Sequence, residues 1–147
     1  MALLRKQLRD AAKAAIAAGV PELSNRVSGV RAYPRNRDQV PAAQVSTPSE
    51  DSERTSSDGV LSVEITLDVV LFTLGASGGE VEDDLDALAE KAHAALVDDA
   101  TILSLTDEFL SVTSSFEFGD GASEVPASLT LSFVAMALIT EADVADA

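Results

Sequence analysis

From Leu61 to Leu71 every second residue is a large aliphatic: Leu61, Val63, Ile65, Leu67, Val69 and Leu71. Ser62, Glu64, Thr66 and Asp68 fill the positions between. Successive side chains on a strand point to opposite faces, so strict period two marks a strand with one packed face and one wet face. Such a strand commits the chain to a sheet and to something that covers one side of it. At Val70, Phe72 and Leu74 the second face also turns apolar. That end of the strand is expected to be covered on both sides.

Two amphipathic segments can supply the cover. Leu4, Leu8, Ala11 and Ala15 recur at helical spacing, with Ile16 adjacent, and Gly19-Val20-Pro21 ends the run. The reading is a helix over 3–18 that leaves Arg5, Lys6, Arg9 and Lys13 to solvent or a partner. Residues 80–97 form a second helix, with Leu85, Leu88, Ala89, Ala92 and Leu96 on one face. Glu80, Glu82, Asp83 and Asp84 crowd its start, where the helix dipole favours negative charge. Residues 101–105 add a helical turn.

The remaining apolar stretches read as strands. Val27–Tyr33 is a short one ended by Pro34, and Val40–Thr47 is another, weakened by Pro41. Residues 48–59, Pro-Ser-Glu-Asp-Ser-Glu-Arg-Thr-Ser-Ser-Asp-Gly, have no apolar anchor and read as a polar loop, mobile in the free monomer. Gly75 to Gly79 reads as a flexible turn. Leu110, Val112, Phe116 and Phe118 alternate with polar residues, as do Leu129 to Ile139, and Gly119-Asp120-Gly121 begins the connection between these two strands. The acidic residues 141–147 are expected to fray. The order predicts one α+β domain over 1–147: a mostly antiparallel β-sheet with two α-helices packed on one face.

Charge is distributed unevenly. Residues 1–40 hold eight basic and three acidic residues, a local charge of +5. The other 107 residues hold two basic and 22 acidic ones, a charge of −20. This asymmetry suggests that the basic end meets an acidic partner, such as a second copy of the chain, or packs on its own acidic domain. It disfavours specific nucleic-acid recognition, which depends on Lys and Arg against phosphate. The longest apolar run, Phe133–Ile139, is far below the roughly 18 residues of a membrane span. Charges in the first ten residues replace the apolar stretch of an export signal, so synthesis in the cytoplasm without such a signal is expected.

Candidate chemistry is sparse. No cysteine is present, which excludes disulfides and thiolate sites. His93 is the only histidine and is expected on a helix surface, not in catalysis. Asp83, Asp84 and Asp86 lack the glycine and ligand spacing of a calcium loop, and Gly75–Gly79 lacks the Lys-Ser or Lys-Thr of a phosphate loop. No catalytic residue, metal or cofactor is expected. The residues singled out form contacts instead: Arg5, Arg9, Arg31, Tyr33, Arg35 and Arg37 on the basic side, and Glu50, Asp51, Glu53 and Arg54 in the polar segment.

The layout resembles the tail terminators, minor tail proteins of long-tailed bacteriophages (siphophages). The likeness runs through Leu4-Arg5 to Ala11, Val40-Pro-Ala-Ala-Gln-Val45, Thr47-Pro-Ser-Glu50 and Val63-Glu-Ile-Thr-Leu-Asp-Val69. It continues through Leu85-Asp-Ala-Leu-Ala-Glu-Lys-Ala92, Ile102-Leu103 and Leu129-Thr-Leu-Ser-Phe133. The order of these segments, over nearly the whole chain, carries the inference. The resemblance implies a non-enzymatic virion protein at the tail–neck junction, assembled in the host cytoplasm. It implies a homo-hexameric ring that caps the tail tube protein, stops tube growth and meets a neck or head completion protein. DNA would pass through an acidic bore without specific binding, and no membrane is involved. Rival readings are a head–tail completion or neck protein, a small acidic adaptor, and a carboxylate enzyme.

Overall fold

The computed structural model describes residues 2–29, 40–54, 59–75, 77–119 and 125–140. Helix α1 (Ala2–Gly19) leads through a 3₁₀ turn (Pro21–Leu23) to β1 (Val27–Ser28) and β2 (Ala42–Arg54). Then come β3 (Val60–Gly75), α2 (Gly78–Val97), α3 (Ala100–Leu105), β4 (Glu108–Phe118) and β5 (Val125–Thr140). Among the described residues five strands make one sheet in the order β1-β2-β3-β5-β4. Every neighbouring pair is antiparallel except β1 with β2. The architecture is α+β.

The alternating segment is the centre of the sheet. β3 pairs with β5 from Val60↔Thr140 to Gly75↔Val125 without a register break, and with β2 on its other side. Its odd-numbered face buries Val63, Ile65, Leu67, Val69 and Leu71. The same layer takes Leu129, Leu131, Phe133 and Ala135 from β5, and Ala43 and Val45 from β2. Leu8, Ala12 and Ile16 of α1, and Val81, Leu85, Leu88, Ala92 and Leu96 of α2, close over it. Burying one such aliphatic side chain is worth roughly 1.5–3 kcal/mol, so this layer outweighs any polar contact in the molecule.

The two helices approach closely at Gly19, where a Cβ would lie 2.6 Å from the Cβ of Ala95. Lys91 Nζ reaches Glu22 Oε2 at 2.9 Å beside this contact, and its hydrogen bond holds the Glu22 carboxyl below its ordinary range. Ser77 caps α2 by accepting the backbone N–H of Glu80 at 3.2 Å. The helix therefore starts at Gly78, two residues earlier than its apolar pattern indicates, and takes the last two residues of the expected turn. Asp99 caps α3 by accepting from Ile102 N, which turns the expected helical turn into a short helix.

Three expectations need correction. Residues 48–54 are not a loop: β2 runs on to Arg54, paired with β3 from Ser49↔Thr66 to Arg54↔Leu61. Backbone hydrogen bonds to a strong neighbouring strand supply the order that polar side chains do not advertise. A bulge between Ser46 and Ser49 accommodates Pro48. Residues 55–58 of that expected loop lie outside the described residues. The first strand covers Val27–Ser28 and gives way to a bend at Gly29, and the rest of its expected length, from 30 on, also lies outside the described residues. In β4, a second bulge between Ser111 and Thr113 breaks the single-face alternation. Leu110 pairs with Val134 on the uncovered face, whereas Phe116 pairs with Leu129 on the helix face. Phe109, not Leu110, points inward and stacks on Phe133 with ring centroids 5.0 Å apart.

On the second sheet face Phe72 is buried and Val70 and Leu74 are half-buried, but no described helix lies over them. The middle of that face is polar, with the Ser132 hydroxyl donating to Asp68 Oδ1 at 2.7 Å across the β3–β5 pair.

Leu67 is fully buried in the central strand. Leu67→Ala is expected to lower unfolding stability by about 2–5 kcal/mol in chemical denaturation. Ser77→Ala is expected to lower it by about 1 kcal/mol through loss of the cap.

Candidate functional site

Arg5, Arg9 and Lys13 lie four residues apart on α1, so at 3.6 residues per turn they form one stripe along the helix. The stripe flanks the buried face of Leu8, Ala12 and Ile16 and faces the β1–β2 edge of the sheet. Together with Gly29 and the Val45–Pro48 stretch of β2, these three cations line a cleft of about 430 Å³.

Each cation sits differently. Arg9 Nη1 donates to Thr47 Oγ1 at 3.0 Å, and that threonine is buried at the β2 bulge. Arg5 Nη1 stands 3.9 Å from Glu50 Oε2, a loose ion pair, while its Nε is buried with no acceptor among the described residues. Lys13 makes no ion pair or hydrogen bond among the described residues. All three side chains are half-buried. Among the described residues the one ion pair made by these three partly desolvated cations is that of Arg5 with Glu50, while the Asp10 carboxyl lies within electrostatic reach of Arg9 and Lys13. Burying charge is costly unless it is paired, so the cleft favours an anion.

The bulge decides which acidic residues belong to this site. Beyond it Glu50 pairs with Ile65 and so lies on the helix face, within reach of Arg5. Asp51 and Glu53 pair with Glu64 and Ser62 on the opposite face and are exposed away from the cleft. Arg54, opposite Leu61, ends the strand. The structure therefore brings Arg5, Arg9 and Glu50 together and separates Asp51 and Glu53 from them. Arg31, Tyr33, Arg35 and Arg37 lie outside the described residues. Lys13, read from the sequence only as left to solvent or a partner, and Thr47, not singled out there, complete the site. The four-residue spacing from Arg5 through Arg9 was the available signal for Lys13, whereas nothing local announces Thr47.

Other candidates carry less. His93 is exposed on α2, its ring 5.8 Å from that of Phe133. Among the described residues no group of three or more His, Cys, Asp or Glu is placed to hold a metal, and no helix is long and apolar enough to cross a membrane.

No family model matches the chain, and no curated protein matches it.

An anion that binds the native cleft stabilises the fold by mass action. Sulfate or phosphate is expected to raise the melting temperature above that in chloride at equal ionic strength. The difference should shrink in an Arg5→Met, Arg9→Met, Lys13→Met variant. An equal rise in the native protein and the variant would show a general salt effect with no anion at the cleft.

Proposed function

We propose that this chain is a structural virion protein that works by self-assembly: a ring that caps the phage tail tube, ends its polymerisation and offers a surface to the neck. The observation that carries the proposal is the half-buried cationic cleft in a chain whose net charge is −15. A closed ring requires two different complementary patches on each subunit. A cationic patch on an otherwise acidic molecule meets that requirement, because it finds its complement on another copy of the same chain.

The layout resemblance supplies the rest of the reading. In it the tail tube protein and a neck or head completion protein are the partners, and the tail–neck junction of the virion is the location, reached by assembly in the host cytoplasm. An acidic bore would pass DNA without holding it, since it offers phosphates no counter-charge. The chain acts through its surfaces and performs no chemistry.

Mixing the purified protein with growing tail tubes tests the reading. Tubes are expected to stop short, with a ring of about six subunits of 15.3 kDa at one end in negative-stain images. An unchanged distribution of tube lengths would overturn it.

A further inference from the structure

Helix α2 carries a stripe that matches the one on α1. Glu82, Asp86 and Glu90 are four residues apart and all exposed, as Arg5, Arg9 and Lys13 are four apart on α1. Each stripe spans about 12 Å at ~1.5 Å rise per residue, so three carboxylates and three cations repeat at the same interval. None of the three carboxylates has an ion-pair partner among the described residues.

The two stripes lie on opposite flanks of the helical layer. Lys91 and Ala95 mark the flank of α2 turned toward α1, through Glu22 and Gly19. His93 marks the other flank, with its ring near Phe133, and Phe133 stacks in turn on Phe109 of β4. At about 100° per residue, Glu82, Asp86 and Glu90 all fall within roughly 60° of the direction of His93. The carboxylate stripe therefore overlooks the β4 side of the sheet. The cationic stripe, held against Thr47 and Glu50, overlooks the β1–β2 side. One domain thus shows opposite charge ladders at its two ends.

We infer that two copies of the chain dock side by side, with Glu82, Asp86 and Glu90 of one facing Arg5, Arg9 and Lys13 of the next. The inference names the partner surface of the cleft and rests on the self-assembly reading. The contact is heterologous, because a given copy uses different surfaces toward its two neighbours, and repeating it gives a ring or a filament. Exposed ion pairs are individually weak, so the ladders set orientation and register and speed encounter. Apolar surface for the same contact lies on β4. That strand is a sheet edge without Lys, Arg or Pro, the residues that usually blunt such edges, and it leaves Leu110 50% and Val112 51% exposed.

A charge swap tests the contact. One variant carries Arg5→Glu, Arg9→Glu and Lys13→Glu; the other carries Glu82→Lys, Asp86→Lys and Glu90→Lys. Light scattering after size exclusion, at millimolar protein and low salt, reads the mass of each, and circular dichroism checks folding. The native chain is expected to be an oligomer, and each variant alone a monomer. Their equimolar mixture should recover the oligomer, because alternating copies then present opposite ladders at every contact. If the first variant does not fold, Lys13→Glu alone replaces it, since that residue makes no ion pair among the described residues.

A monomeric native chain, a folded variant that keeps the native mass, or a mixture that stays monomeric would each overturn the contact. The outcome is separable from the tail reading. Swap-dependent assemblies that leave tube growth unchanged would retain the contact and reject the terminator function. Native capping that the variants do not disturb would do the reverse.

Discussion

Everything in this molecule hangs on the pairing of β3 with its two neighbours. β3 meets β5 over sixteen residue pairs and β2 on the other side, so its loss would leave two separate strand pairs, β1-β2 and β5-β4. Its odd-numbered aliphatic face is also the floor on which both long helices sit. Backbone hydrogen bonding and hydrophobic burial therefore reinforce each other along one segment. The polar tip of β2 is ordered by the first of these without the second.

Cover on a single face has consequences for everything else. The helices occupy one side, and the even-numbered side chains of β3 and β5 form a second surface with polar residues at its centre. Two bulges then decide which side chains reach which surface. At Thr47-Pro48 the bulge turns Glu50 toward α1 and sends Asp51 and Glu53 to the other face. At Val112 it turns Leu110 outward and lets Phe116 join the helix face. One extra residue in a strand inverts the phase of everything beyond it, because the side-chain period is two.

The helical layer divides charge in a way that the totals conceal. Residues 1–40 are net basic and the remainder strongly acidic, yet only part of that charge lies where another molecule can use it. Lys6 pairs with Asp10 on the outer surface of α1, and Lys91 pairs with Glu22 between the helices. What is left at the flanks is Arg5, Arg9 and Lys13 at one end of the layer and Glu82, Asp86 and Glu90 at the other. Polarity of this kind suits a protein that meets copies of itself.

By itself the sequence determined the fold class, the central strand, the bodies of both long helices and the two closing strands. Each of these writes its period in local residues: two for β3 and β5, and 3.6 for α1 and α2. It also placed Arg5 and Arg9 off the apolar stripe of α1, because helical phase is a local property, whereas the structure half-buries both against β2. Only the tertiary structure decided that residues 48–54 are strand, that Phe109 and not Leu110 enters the core, and that Glu50 shares a site with Arg5 while Asp51 and Glu53 do not. Those outcomes depend on register with strands tens of residues away and on single-residue bulges that shift it. A pattern of neighbours along the chain does not record which distant backbone will supply the hydrogen bonds.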